Sequence, residues 1–321
     1  MSKIFFLYLS TVFFFCHSYS GERGFFAEGA VFYWRASESG LSYAAKSSSE
    51  HKLAPDGKVE NLKFEWDFGF KVGLGYRLPH DDWELKLQFT SFQTHTDNEK
   101  KAGEGDVLFP LWQSVGEGPF FAEGAKVHWR LHLGIVDLML SKFYPVTKSL
   151  FLTPQIGIRG GSVRQKYNLE YSGGSFATTG NEIIHMKNKY FGIGPNVALF
   201  GQYAFGRNFS LFAKGAFSLL LGEFYLHQDE YTSNGKNKQL GVHDIFCSSR
   251  AVFETTAGIR WECFFQRALK RLELEIAWDE FLFFSQNQLL HFPSSAAQGV
   301  FFANQGDLFV SGITFNIHFD F

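Results

Sequence analysis

The sequence predicts an all-β protein: a transmembrane, antiparallel, up-and-down β-barrel of ten strands, with twelve as the alternative. Three observations predict it. In the last nine residues Ile313, Phe315, Ile317, Phe319 and Phe321 are apolar, and Thr314, Asn316, His318 and Asp320 between them are polar. Successive side chains of a strand point to opposite faces, so this segment has one apolar and one polar face. Second, 45% of the chain is hydrophobic and 18% aromatic, with 40 Phe, yet no apolar run after residue 20 reaches the length of a transmembrane helix. Plentiful but dispersed apolar residues suit a wall in which every second residue meets lipid. Third, the candidate strands are joined by short and long connections in alternation, as in outer-membrane barrels. A secreted β-sandwich would share the composition; an export signal together with a terminal amphipathic strand favours the barrel.

The N-terminus has Lys3, an apolar stretch from Ile4 to Phe15, then Ser18-Tyr19-Ser20. It reads as a secretory signal cut after Ser20, leaving residues 21–321 as one barrel domain in a bacterial outer membrane. Cys16 follows Phe13-Phe14-Phe15 rather than the small residues of a lipid-anchor signal. A net charge of −2 gives no bias toward nucleic acid. After cleavage only Cys247 and Cys263 remain, too few for a disulfide scaffold and at opposite ends of one predicted strand, too far apart to bridge.

The first strand runs near Phe25 to Trp34. The second is the clearest: Phe64, Trp66, Phe68, Phe70, Val72, Leu74 and Tyr76 share one face, and Glu65, Asp67, Gly69, Lys71, Gly73, Gly75 and Arg77 the other. A helix would mix these sets around its circumference. The third spans Trp83 to Thr94. The fourth sets Val127, Trp129, Leu131, Leu133 and Ile135 against Lys126, His128, Arg130, His132 and Gly134. The fifth covers Leu150 to Val163, with a phase slip near Gly160-Gly161 that reads as a bulge. The sixth runs over Tyr190 to Tyr203 and the seventh over Phe209 to Leu221. The eighth alternates from Arg250 to Trp261. The ninth starts near Arg271, with Leu272, Leu274, Ile276 and Trp278 outward and Glu273 and Glu275 inward; the tail is the tenth. Twelve strands result if Leu41–Ala44 and Val107–Trp112 join the wall.

Short connections fall near Arg77–Asp82, Lys142–Lys148, Ala204–Asn208 and Phe264–Lys270. Long ones fall near Ala36–Leu62, His95–Phe120, Arg164–Lys189, Leu226–Ser249 and Phe284–Gly306, which are read as extracellular loops. Tyr76, Trp83, Tyr144, Tyr203, Phe205, Phe209, Trp261, Phe264, Phe265 and Phe321 crowd the short-turn ends and read as an interfacial girdle.

In hydrocarbon every backbone N–H and C=O needs a protein partner, so the sheet must close. A Lys or Arg facing lipid at mid-depth would cost about 2–4 kcal/mol, which assigns the polar face to the lumen. The pore-lining candidates are accordingly Lys71, Lys126, His128, Arg130, His132, Arg159, Lys214, Glu254, Arg260, Glu273 and Glu275, with Glu65, Asp67, Glu84, Lys86 and Arg250 beside them. Two uses of such a lumen are weighed, and the first, a porin-like channel for passive diffusion, is the expected function with the second as the alternative. One is a mixed-sign pore wall that filters small hydrophilic solutes and ions; inward glycines (Gly69, Gly73, Gly75, Gly134, Gly258) favour a water path. The other is a salt-bridge network that plugs a narrow barrel, since aqueous channels are typical of 16–18 strands.

At Phe32-Tyr33-Trp34-Arg35, Gly40-Leu41-Ser42-Tyr43-Ala44 and Phe64 through Tyr76, followed by the turn Leu78-Pro79-His80-Asp81-Asp82-Trp83, the chain resembles the Legionella-type major outer membrane proteins, which also occur as porin-like proteins in environmental relatives of chlamydiae. The resemblance is strongest over the first third of the mature chain. It implies a pore-forming outer-membrane barrel and brings no catalytic residues.

No cofactor or metal is expected. His128 and His132 are four residues apart, about 13 Å along a strand, which one metal does not bridge. Gly73-Leu74-Gly75 lies inside a strand, not at a phosphate-binding turn. Asn208-Phe209-Ser210 matches a glycosylation sequon by chance, and Asp81-Asp82 suits a turn. The protein is read as a non-enzyme. A hydrolase would need Ser or Asp beside one of the scattered His51, His95, His185, His227, His243 or His291, and attachment through the long loops is the third class. Expected partners are outer-membrane lipid, small polar solutes and the barrel assembly machinery, the last through the strand ending in Phe321; a homo-oligomer is allowed and nucleic acid is not expected.

Overall fold

The computed structural model describes residues 24–48, 57–78, 83–113, 120–178, 180–206, 208–232, 234–265, 270–292 and 301–321. The predicted leader and Asp81-Asp82 lie outside these residues. Ten strands form the wall: β1 (Gly24–Glu38), β2 (Trp66–Arg77), β3 (Trp83–Lys101), β4 (Gly124–Lys142), β5 (Leu150–Ser172), β6 (Glu182–Gly206), β7 (Phe209–Thr232), β8 (Asn237–Phe265), β9 (Lys270–Asn287) and β10 (Gly306–Asp320). Each pairs antiparallel with its neighbours in sequence, and β10 pairs with β1, so the ring closes without an edge. The twelve-strand alternative does not form. Ala44–Ser47, Val59–Glu60 and Val107–Pro110 make a separate three-stranded sheet outside the wall.

Around the short-turn end the wall is apolar outside. Phe68, Leu74, Leu85, Ile156, Leu211, Ile259, Ile276 and Ile317 are all exposed. The aromatics predicted for a girdle sit at this end, with Tyr144, Tyr203, Phe205, Phe209, Phe264, Phe265 and Phe321 exposed.

The strands are longer than predicted, and the excess lies at the long-loop end. β8 has 29 residues and β6 has 25. A tilted strand of ~10 residues crosses the hydrocarbon, so these strands continue well past an apolar belt of that height. Two of the predicted long loops are therefore largely wall: residues 164–172 and 182–189 belong to β5 and β6, and residues 226–232 and 237–249 to β7 and β8.

In this upper part the polarity of the wall reverses. On β4, Asp137 points inward to Arg159, and two-residue alternation then sends Val127, Trp129, Leu131, Leu133 and Ile135 inward as well. All five are at most 3% exposed. Val136, Leu138 and Leu140 point out. The phase slip at Gly160-Gly161 is the same reversal seen on β5. The register of Leu150–Ser172 with both neighbours is unbroken there, so no bulge exists. Bulges occur instead at Ala204/Gly206, Glu230/Tyr231 and Phe283/Asn287.

Gly69, Gly73 and Gly75 are sockets that side chains of β1 occupy. A Cβ on Gly69 would lie 2.2 Å from the Phe32 ring, and one on Gly75 2.0 Å from the Phe26 ring. A ring from β1 covers each gap on β2, an aromatic–glycine cross-strand pairing. Glu28 covers Gly73 in the same way, and Gly134 faces outward on β4.

Candidate functional site in the barrel interior

The interior has two storeys. The one nearer the short turns is charged. Lys71 on β2 reaches across to Asp279 on β9 at 2.7 Å, and Asp279 also accepts hydrogen bonds from Thr256 and Thr314. Arg159 on β5 donates to Asp137 at 2.6 and 3.0 Å and to Glu254 at 2.6 Å, and Glu254 takes Lys214 at 2.7 Å. Arg260 lies 2.6 Å from Glu275 and 3.5 Å from Glu273, and Arg271 bridges Glu273 and Asp320. Lys86 meets Glu28 at 3.2 Å, and His318 meets Asp320 at 3.0 Å. Lys71–Asp279, Arg159–Glu254 and Lys86–Glu28 join strands that are not neighbours, which places these side chains inside the ring. Among them remains a cavity of ≈ 220 Å³ lined from all around the barrel.

Seven of the eleven pore-lining candidates belong to this lattice: Lys71, Arg159, Lys214, Glu254, Arg260, Glu273 and Glu275. Lys86, Glu84 and Asp67 also point inward, and Arg250 stacks on Phe224 at 4.6 Å. Four candidates do not. Lys126, His128, Arg130 and His132 lie on the outer wall of β4, because their stretch of strand stands above the apolar belt, where the inward set is the apolar one. Glu65 is exposed just before β2. Sequence reasoning missed Asp137, Asp279 and Glu28, which sit in stretches of β4, β9 and β1 whose polar members it did not collect.

The storey nearer the long loops is an apolar core. Phe32 stacks on Trp34 at 3.5 Å between centroids, and Trp34 contacts Phe92 and Phe281. Trp129, Tyr190, Phe224 and Phe283 join them, each at most 1% exposed. The loop residues Leu41, Tyr43, Leu62, Leu108 and Trp112 cap the cluster. Tyr167 and Tyr171 donate hydrogen bonds to the Leu41 and Tyr43 carbonyls, tying β5 to the folded loop. Burial raises both phenols above their ordinary range. It also pushes the Glu38 carboxyl up to about 8, although Gln165 donates to it at 2.8 Å. Glu182 at the upper rim is raised too, first by burial and then by Glu230 beside it.

Two histidine–carboxylate pairs occur on the upper wall, His128 with Asp97, and His227 with Asp229 at 2.8 Å. Lys238 neutralises Asp229 at 2.6 Å. Among the described residues no group of three His, Cys, Asp or Glu is arranged to hold a metal ion.

The family described as Legionella pneumophila major outer membrane protein precursor matches residues 21–321. The chain belongs to that family. The match runs well beyond the first third on which the motifs were read, and it places the protein in the bacterial outer membrane, with the short turns toward the periplasm. No curated protein matches the sequence. Among solved structures, the outer membrane protease OmpT of Escherichia coli is similar at 10% identity, over 96% of this chain and 99% of that one, with a TM-score of 0.45. The P. putida toluene transporter TodX is similar at 11% identity over 94% and 90%, with a TM-score of 0.29. A Pseudomonas aeruginosa FadL homologue gives 9%, 93% and 90%, and 0.28. No role is carried over from them.

Proposed function

We propose that the protein is a closed outer-membrane barrel that holds a folded, water-facing β-structure and its loops above the outer leaflet, where they form a surface for contact with the cell's surroundings. One observation carries this reading: the upper lumen is filled. Trp34, Phe92, Trp129, Phe224, Phe281 and Phe283 meet there at no more than 2% exposure each. Ions do not cross close-packed aromatic side chains, because no water or polar group replaces their hydration. The ten-strand circumference agrees, since a narrow barrel is filled by its own side chains. The reading assigns no catalytic step. It leaves insertion to the barrel assembly machinery acting on β10.

Passage of small polar solutes is the second reading, and the charged cavity of ≈ 220 Å³ favours it. It requires the apolar storey to move aside. Purified protein in planar lipid bilayers separates the two. The closed barrel gives no current steps, and Trp34→Ala with Phe281→Ala lets ions leak. Stable steps from the unaltered protein, with ion preference shifted by Lys71→Glu, would replace the closed barrel with a channel.

A further inference from the structure

Outside the barrel, β4, β5 and β6 carry a group of cations that folding alone does not explain. In one register row Arg130 lies opposite Lys166, and Lys166 opposite Lys187. In the next row His132 lies opposite Arg164, and Arg164 opposite Lys189. Directly opposed residues of one charge destabilise a sheet. Following the rows onto β3 and β7 adds His95, Gln93, His227 and Tyr225, and no acid. The carboxylates on the flanking rows are engaged elsewhere: Asp97 by His128, Asp229 by Lys238, Glu170 by Asn181, and Glu223 by the Tyr225 hydroxyl. Among the described residues no ion pair joins Arg130, Arg164, Lys166, Lys187 or Lys189 to an acid.

Directly below the cations, on the lipid side, the wall is hollowed. A trough of ≈ 470 Å³ runs over Gly134, Gly160 and Ser162, between Phe89 and Val136 on one flank and Ile158 and Phe191 on the other. Nothing lies within 4 Å of where a Gly134 Cβ would stand. The volume falls in the range of small-molecule sites, ~300–1,000 Å³. His132 and Arg164 stand at the upper end of the trough and belong to both features.

We propose that this face binds a phosphorylated glycolipid of the outer leaflet, with an acyl chain in the trough and the sugar phosphates on Arg130, Arg164, Lys166 and Lys189. An apolar slot continuous with the lipid-facing belt and topped by unpaired cations at headgroup height matches an amphiphile with anionic groups at one end. Basic clusters at the membrane surface gain from each phosphate contact. Two guanidinium groups also favour phosphate, which accepts both arms of each fork.

The test uses the full-length barrel purified in non-ionic detergent, with native mass spectrometry as the readout. The probes are bis-phosphorylated lipid A, the same lipid A with both phosphates removed, and phosphatidylglycerol. The phosphorylated lipid A is expected to be retained about tenfold or more over the other two. Arg130→Glu with Arg164→Glu abolishes that preference, and Gly134→Leu with Gly160→Leu weakens retention of both lipid A forms. Because the cations are exposed and mutually repelling, their reversal leaves folding intact, as heat-dependent gel mobility will show; Arg130→Gln with Arg164→Gln serves as the milder pair. Equal retention of the two lipid A forms, retention of phosphatidylglycerol as strong as that of lipid A, or unaltered retention by the charge variants overturns the proposal.

Discussion

The reversal of polarity along β4 makes a quantitative prediction at two adjacent residues. Leu131 is fully buried in the upper core, at 0% exposure, whereas Arg130 beside it is exposed on the outer wall. Truncating Leu131 to Ala removes buried atoms and leaves a cavity in a closed wall that has little room to collapse, which costs ~3–5 kcal/mol. If Leu131 faced lipid instead, the same change would lose only about 0.5 kcal/mol of membrane transfer energy. Arg130→Ala removes one of several opposed cations and should change stability by no more than about 0.5 kcal/mol. The assay is equilibrium urea unfolding of the protein inserted in phospholipid vesicles. With a slope of about 3 kcal/mol per molar urea, the Leu131→Ala midpoint falls by about 1 M or more. A Leu131→Ala loss below about 1 kcal/mol, with a larger loss from Arg130→Ala, would refute the assignment of the two faces.

Other expectations follow from the two storeys. Arg159→Met strands Asp137 and Glu254 without their shared cation and should cost roughly 3–5 kcal/mol; adding Asp137→Asn and Glu254→Gln should restore part of it, as read by the same unfolding midpoint. Glu38 keeps its proton up to about pH 8 in the folded state, while the unfolded chain releases it near 4.5. Its contribution is full below pH 4.5 and is lost as pH rises toward 8, so the midpoint should fall between pH 5 and 8, and Glu38→Gln should flatten that slope. The raised Glu182 acts in the same direction. Spin labels at 128 and 129 should both be shielded from lipid-soluble relaxers, with the label at 128 open to a water-soluble one and the label at 129 immobilised; lipid contact at 129 would contradict the inward packing of Trp129.

Much of the wall was legible because one rule governs its lower part. Where lipid surrounds a strand, apolar residues face out, and β2 from Trp66 onward and β9 over its predicted length obey this, while Phe64 and Glu65 lie before β2 with Phe64 packed on Trp129. Lys71, Glu273 and Glu275 were therefore placed on the correct face. The four residues of β4 were misplaced by the same rule. Lys126 to His132 alternate just as a lipid-crossing strand does, and local alternation is blind to which face meets water. The long loops over 164–189 and 226–249 were misread for a related reason. Their strands carry charge on the outer face, and a polar composition reads as loop when a hydrocarbon belt is the only expected environment.

A signal that separates these cases was present in the sequence, at positions that pair in space. On β4 the apolar set changes parity between Ile135 and Val136, on β5 between Ile158 and Val163 across Gly160-Gly161, and on β6 between Tyr190 and Phe191. The register sets Ile135 opposite Gly161, Val136 opposite Gly160, and Gly160 opposite Ile193. A bulge changes parity on one strand and disrupts its own ladder. Parity changes on three neighbouring strands, at nearly the same height and with the ladders intact, require that the surroundings change instead: lipid outside below, water outside above. Above that line a barrel can be stable only with an apolar interior, like any water-soluble fold. The filled upper lumen is thus the thermodynamic counterpart of the charged outer wall, and a variant that opened a wide aqueous path there would have to give up the burial that holds the upper strands together.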